Sequence, residues 1–268
     1  MADETEFIQK YGEILGRGKT AMICGKGDVA AKIYVEGFDK AEIFHEAYLL
    51  ALVEKTGLPV PKVYGIEQCG KRFVLLMSRI KGNSLKDILF SGEKTPEEYM
   101  NRLVGLQIQM HAFRIDTSIL PAKTAVFRKN ILYNPRLTDT ERQYYLKLLE
   151  TMPEGDSLCH GDFHIGNVLL DKDVYTIIDW AEVSSGPAAA DACRTYLDYK
   201  YLGKMLLDPE AAEYLAELFL EKYTAASGMS REEILVWLPI NAASIYGFIQ
   251  DEEMNRELYT LVCGGQKS

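Results

Sequence analysis

The stretch Cys159-His160-Gly161-Asp162-Phe163-His164-Ile165-Gly166-Asn167, followed by Ile177-Ile178-Asp179-Trp180, constrains this 268-residue chain more than any other feature. Asn167 stands five residues after Asp162, and Asp179 twelve after Asn167. The apolar runs in between, Val168-Leu169-Leu170 and Val174 to Ile178, read as two short buried strands. A lone Asp or Asn in a loop is usually a turn former or a helix cap. Three such residues in this order supply what transfer of a γ-phosphate requires. Asp162 could accept or orient an acceptor hydroxyl proton, and Asn167 and Asp179 are hard oxygen ligands suited to Mg2+.

Transfer of that kind also needs parts that hold a nucleotide, and these belong upstream. Tyr11 to Thr20 contains Gly16 and Gly18, with Met22 to Cys24 as a second strand. Two glycines let a hairpin backbone approach phosphate closely, although most such pairs are ordinary turns. In Asp28 to Tyr34, Lys32 is flanked by apolar neighbours. A strand lysine usually marks the solvent face. After a glycine hairpin it becomes a candidate to grip the α- and β-phosphates, provided a carboxylate holds it. Glu46 is the natural partner, at helical spacing with Ile43, Ala47 and Leu50, because a buried carboxylate without a partner is costly. Glu42 and Glu54 are the solvated alternatives. Two further strands are expected at 62–67 and 71–77, running into Ser78 to Gly82 as a hinge. Met77, Ser78 and Arg79 are then candidates by position to hold adenine through their backbone groups.

Taken together, Leu15 to Ala21, Lys32, Glu46, Gly57 to Tyr64, His160 to Asn167, Ile178 to Trp180 and Asp191 to Tyr196 resemble the aminoglycoside phosphotransferase and choline kinase superfamily. This is the small-molecule branch of the protein-kinase-like fold. The central block follows the protein-kinase order of His-x-Asp, Asn and metal-binding Asp, while the third glycine of the kinase loop is missing. The resemblance implies an α+β, two-lobed fold: a small N-terminal antiparallel β-sheet lobe with one helix, and a larger, mostly helical C-terminal lobe. The expected division is 1–78 for the nucleotide-binding lobe, 79–82 for the hinge, and 83–268 for the catalytic and acceptor-binding lobe. It further implies Asp162 as catalytic base, Asn167 and Asp179 on magnesium, Lys32 with Glu46 on the phosphates, and ATP as donor with GTP left open. His164 stands where protein kinases place a lysine that contacts the γ-phosphate, so it is a candidate to stabilise the transferring group; a structural loop histidine is the competing reading. His160 reads as packing behind the loop, and Asp191 as an N-cap or a brace for it. Ile165 replaces a proline common in relatives. Gly186-Pro187-Ala188 replaces their Gly-Asp-Pro, which removes an acid from the region that shapes the acceptor pocket.

Hydrophobic residues make up 47% of the chain, ample for a core. No apolar run approaches a membrane span, and Met1 to Glu6 lacks the basic start of a signal peptide, so no membrane role and a cytoplasmic location are expected. Five cysteines without a Cys-x-x-Cys pair argue against a disulfide framework or a zinc ribbon. Residues 182–268 carry 14 acids against 7 bases and read as helices at 188–202, 209–225, 230–248 and 251–262. Solvated helix faces account for such a balance, yet an acidic wall would also attract a cationic acceptor. Nucleic acid is disfavoured as a partner, since phosphate binding needs basic patches. No obligate protein partner is inferred.

Only eleven residues separate Asp179 from Asp191, too few for the segment on which protein kinases dock peptides. The expected acceptor is therefore a small hydroxylated molecule: an aminoglycoside, choline or ethanolamine, homoserine, methylthioribose, another sugar or a macrolide. Tyr196, Tyr199, Tyr201, Trp237 and Tyr246 could stack on it, though most read as core. The alternatives are a pseudokinase that binds nucleotide without transfer and, weaker, a protein kinase.

Overall fold

The structure, a computed structural model, describes residues 4–265 except Glu93 and Thr117. Met1 to Asp3, part of the stretch read for a signal peptide, lie outside the described residues. The chain opens with α1 (Glu4–Tyr11), β1 (Glu13–Arg17), β2 (Ala21–Lys26), β3 (Val29–Tyr34), α2 (Lys40–Val53), β4 (Val63–Cys69), β5 (Arg72–Ser78) and β6 (Asn83–Ser84). Helices α3 (Leu85–Ser91), α4 (Pro96–His111), α5 (Lys123–Tyr133) and α6 (Asp139–Leu149) follow. Then come β7 (Ser157–Cys159), β8 (Val168–Asp171), β9 (Val174–Ile177), β10 (Ser184–Gly186) and α7 (Ala188–Lys200). The chain closes with α8 (Pro209–Ser227), α9 (Arg231–Leu235), α10 (Leu238–Ile245) and α11 (Glu252–Gly265). The fold is α+β, with an antiparallel sheet in the N-terminal part and helices in the C-terminal part.

Residues 1–88 and 166–181 form one compact unit, and 89–165 with 182–268 the other. These units are drawn by contact and differ from a division at 79–82. Segment 166–181 joins the first because β8 pairs with β6 and β9 in a three-stranded sheet.

In the first unit, five antiparallel strands lie in the order β1-β2-β3-β5-β4. Strand alternation splits the side chains of β3 between two cores. Ala31 and Ile33 meet Phe7 and Tyr11 of α1, together with Cys24 and Val74. Tyr34 meets Ile43 and Ala47 of α2, together with Leu75. Lys32 shares the face of Tyr34 by the same alternation, and this turns it toward α2. The N-terminal helix α1 was not among the elements expected, so this part of the chain carries more than the one helix anticipated.

In the second unit, α4 packs on α8, α7 on α8, and α10 on both α7 and α11. Thr95, Thr138 and Ser230 each close a capping box at the start of α4, α6 and α9. Trp237, Tyr99, Tyr145, Tyr223 and Phe219 fill the interior. The single helix expected over 230–248 is broken into α9 and α10. Pro239 lacks the N–H an unbroken helix would use, and it falls in the first turn of α10 instead. Tyr196, Tyr199 and Trp237, considered above as stacking residues, are buried core side chains. Among the described residues no helix is long and apolar enough to cross a membrane. All five cysteines are free thiols; Cys24, Cys69, Cys159 and Cys193 are buried and Cys263 is partly exposed.

Two glycines make the local constraints testable. A Cβ at Gly82 would overlap the Leu170 carbonyl just where β6 meets β8, whereas one at Gly16 would meet nothing within 4 Å. Gly82→Ala is expected to cost about 1–3 kcal/mol of stability through overpacking. Gly16→Ala should stay within about 0.5 kcal/mol of the parent, as surface changes usually do. Urea denaturation of the two variants beside the parent checks both.

Candidate active site

In the first unit a cavity of about 880 Å3 is lined by Gly16 and Gly18 of the β1–β2 hairpin, Lys32, Glu46, Asn167 and Asp179, and also by Met77 to Arg79. Strand β3 places Lys32 opposite Ile23 on β2 and Leu75 on β5, the interior of the sheet. Its Nζ donates to Glu46 Oε1 at 2.6 Å and to Asp179 Oδ1 at 3.2 Å. Burial works against the ammonium, but the two carboxylates outweigh it and hold the Lys32 pKa above its ordinary value. Glu46 is thus the helix acid that reaches the lysine. Glu42 is exposed, and Glu54 accepts instead from the Val63 N–H at 2.6 Å.

Asp179 is set by the turn that ends β9. The Ile177 N–H donates to Pro59 O at 2.9 Å and the Ile178 N–H to Asn167 O at 2.9 Å, while the buried Trp180 returns its indole N–H to Ile177 O at 3.0 Å. Between these anchors Asp179 has φ +64°, left-handed backbone that few non-glycine residues adopt. Its side chain is 47% exposed. Asn167 is largely buried, at the start of β8.

At the end of β5 the backbone N–H groups are already in use. The Ser78 N–H donates to Lys62 O at 2.8 Å and the Arg79 N–H to Asp28 O at 2.9 Å, while Met77 is paired with Ala30. The Arg79 side chain binds Glu13 at 2.7 Å. The sheet simply continues further into the hinge than the strand reading allowed for.

The second unit carries the loop of Asp162 and His164. Helix α7 grips that loop from one face, through residues at helical spacing. The Asp191 carboxylate accepts from the Gly161 N–H at 2.7 Å and the His160 N–H at 3.1 Å. The Thr195 hydroxyl donates to Phe163 O at 2.9 Å, and Arg194 Nη2 to Asp162 Oδ1 at 2.6 Å. Gly161 has φ +91°, and a Cβ there would come within 2.6 Å of Glu182 O, so only glycine fits. His160 is fully buried, with Nδ1 accepting the Asp162 N–H at 3.2 Å and its ring edge-on to Phe163.

Charge around Asp162 is dense. Arg194 also donates from Nε to Asp198 Oδ1 at 2.8 Å, and His164 Nε2 lies 3.6 Å from Asp162 Oδ2. Burial would raise the Asp162 pKa, yet the Arg194 guanidinium, with His164 beside it, holds the carboxyl well below the usual range. Burial likewise lowers the His164 pKa, and Asp162 more than reverses this, so the imidazole is held above its ordinary value. Burial pushes Asp198 up to about 6 in spite of Arg194.

Beneath the loop, Asp191 also meets His111 Nε2 at 3.1 Å and Lys123 Nζ at 3.6 Å, all three side chains being buried. His111, Cys159 and Asp191 are the one cluster of metal-capable His, Cys, Asp or Glu side chains among the described residues. Its carboxylate is already occupied by two backbone donors, an imidazole and an ammonium, and burial pushes the Cys159 thiol well up. The cluster therefore reads as a brace. Asp191 is no helix cap either: α7 starts at Ala188 with Pro187 before it.

Residues 24–229 match the sequence profile of the phosphotransferase enzyme family. The chain belongs to that family. Solved structures agree on the fold. An aminoglycoside-3'-phosphotransferase of type VIII is 21% identical with a TM-score of 0.59, covering 87% of this chain and 91% of its own. A thermostable mutant of aminoglycoside phosphotransferase APH(4)-Ia, in ternary complex with AMP-PNP and hygromycin B, is 16% identical with a TM-score of 0.63, covering 98% and 97%. A choline/ethanolamine kinase family protein from Mesorhizobium loti is 15% identical with a TM-score of 0.58, covering 96% and 88%. No curated protein sequence matches.

Sequence reasoning did not single out Arg194, Asp198, His111 or Lys123, which the structure gathers around and beneath the loop. A signal existed for the first two. Asp191, Arg194, Thr195 and Asp198 follow the i, i+3, i+4, i+7 spacing of one helix face, and a polar face on a helix otherwise rich in buried residues needs partners.

Asp191→Asn removes the counter-charge of buried Lys123 and should cost about 3–5 kcal/mol, as breaking buried pairs does. Burial acts to raise the Asp191 pKa, but the His111 contact and the Lys123 charge hold it below its ordinary 3.8 in the fold. Its stabilising contribution is therefore present above that value and lost as pH falls below it. Urea midpoints followed from pH 7 to about pH 3 should show a shallower acid decline in Asp191→Asn than in the parent.

Proposed function

We propose that the chain is an ATP- and magnesium-dependent small-molecule O-phosphotransferase that moves the γ-phosphate to an acceptor hydroxyl. The observation that carries this reading is the Lys32 ammonium, held between Glu46 and Asp179 in a cavity bordered by the glycine hairpin. A buried ammonium aimed at a partly exposed carboxylate is a ready partner for polyphosphate oxygens. Neither Gly16 nor Gly18 is required by a positive φ, and a Cβ at Gly16 would stand in open space. Close approach of a phosphate chain gives both glycines a reason to be there.

Asn167 and Asp179 offer a carboxamide and a carboxylate in the same unit, lining the same cavity, a hard oxygen donor set that fits Mg2+. When bound, that ion would neutralise charge on the β- and γ-phosphates. With the Ser78 and Arg79 N–H groups taken, the adenine edge would read the backbone from Ile80 onward, while Met77 lines the cavity wall.

Asp162 orients the acceptor hydroxyl. Its Oδ1 accepts from Arg194 and His164 stands beside Oδ2, so the carboxylate is held in place from both sides. A carboxylate whose charged form is favoured this strongly is a weak proton acceptor. That suits phosphoryl transfer, in which positioning and electrostatics supply most of the acceleration. His164, held toward its charged form, would stabilise the transferring phosphate.

A small acceptor fits the eleven residues between Asp179 and Asp191, and a cationic one fits the acidic 182–268 segment. Structures of fold relatives include complexes with streptomycin and ATP and with gentamicin. ATP as donor makes the cytoplasm the expected place of work.

Magnesium-dependent ADP release, measured against a panel of aminoglycosides, choline, ethanolamine, homoserine and methylthioribose, tests the reading. Acceptor-stimulated release should vanish in Asp179→Ala. Asp162→Ala should lower kcat by about 10²-fold or more while leaving nucleotide affinity near that of the parent. Full activity in either variant overturns the assignment.

A further inference from the structure

Glu46 has two carboxylate oxygens, and the fold fills both. Oε1 takes the Lys32 ammonium at 2.6 Å, and Oε2 takes the Tyr34 hydroxyl at 2.8 Å. Tyr34 lies two residues after Lys32 on β3, so strand alternation brings both side chains to the same face. The phenol is 1% exposed, its ring stacked on Phe38 with centroids 5.2 Å apart. The Lys32 Nζ lies 5.6 Å from that ring's centroid, so the ring and hydroxyl of Tyr34 touch both members of the ion pair.

Packing accounts for the ring. It does not account for the hydroxyl, which a phenylalanine would lack while filling the same space. A buried hydroxyl needs a partner, and its partner here is the nearer of the two carboxylates that hold the lysine. With Oε2 tied, the Glu46 carboxylate cannot rotate to exchange its oxygens, and Lys32 has one acceptor position on that side. Burial and the Glu46 charge push the Tyr34 pKa far above its ordinary value, so the group stays a donor.

We propose that Tyr34 is a positioning residue of the donor site: by bonding Glu46 Oε2 it fixes the carboxylate that aims the Lys32 ammonium at the nucleotide phosphates. This rests on the donor-site reading above. Because Tyr34 acts only through Glu46 and Lys32, its hydroxyl matters for ligands that carry phosphates and is silent for a nucleoside without them.

Calorimetric titration of the full chain with Mg-AMP-PNP and with adenosine tests the idea. Tyr34→Phe should weaken AMP-PNP by about fivefold, the equivalent of one ordinary hydrogen bond, and leave adenosine unchanged. In a Glu46→Ala background, adding Tyr34→Phe should have no further effect on AMP-PNP. A parent chain that fails to bind AMP-PNP overturns the donor-site reading and this role with it. A parent that binds, with Tyr34→Phe reducing the thermal midpoint but keeping the parent's ratio of AMP-PNP to adenosine affinity, overturns the positioning role alone. Equal losses from Tyr34→Phe with and without Glu46 also overturn it.

Discussion

The conformation of the Asp162 loop depends on one buried carboxylate. Asp191 is 1% exposed and accepts from two consecutive backbone N–H groups of that loop. Isolated, such a charge would be prohibitive in the interior; with an imidazole and an ammonium alongside, it becomes the post on which the loop is hung. Gly161 must take its left-handed turn for those N–H groups to converge. The next two residues on the same helix face, Arg194 and Thr195, complete the grip by holding the side chain of Asp162 and the carbonyl of Phe163. A single face of α7 therefore fixes the backbone and the charge of the loop together.

The other unit solves a similar problem differently. A central strand gives Lys32 a rigid base, and three acceptors or donors arranged around it, Glu46, Asp179 and Tyr34, set its direction and charge. The positive φ of Asp179 is set between the backbone bonds at Ile177 and Ile178 and the anchored Trp180. In both units a partly exposed carboxylate, Asp162 or Asp179, is the end of a chain of buried polar contacts, so its placement originates in the core.

What could be read from the sequence follows from what is local. The spacing of Asp162, Asn167 and Asp179 is a property of a loop and two short strands, and it was visible. So was the choice of Glu46, because helical spacing put it on the apolar face with Ile43 and Ala47. Arg194 and Asp198 were harder to read as site residues, because charges on a helix ordinarily mean solvent; their spacing with Asp191 and Thr195 marks one face, but only the tertiary neighbour, a loop earlier in the chain, shows what that face meets. Lys123 shows the same limit, a lysine 3% exposed whose partner is remote in sequence. The end of β5 was hard to read for a different reason. Ser78 still pairs with Val29 and the Arg79 N–H bonds Asp28 O, so backbone donors past the last residue with a strand-like pattern are in use. The break at Pro239 was legible in principle, since proline is welcome only in the first turn of a helix.

The placement of the thiols has a chemical consequence. Cys159 adjoins the loop and Cys193 lies within α7, yet both are buried and burial raises the pKa of each. A neutral, enclosed thiol is a poor nucleophile. The folded protein should therefore tolerate electrophiles and mild oxidants near its loop, and alkylation at these two positions would report the opening of the helical unit, in effect a built-in clock for how often α7 lets go.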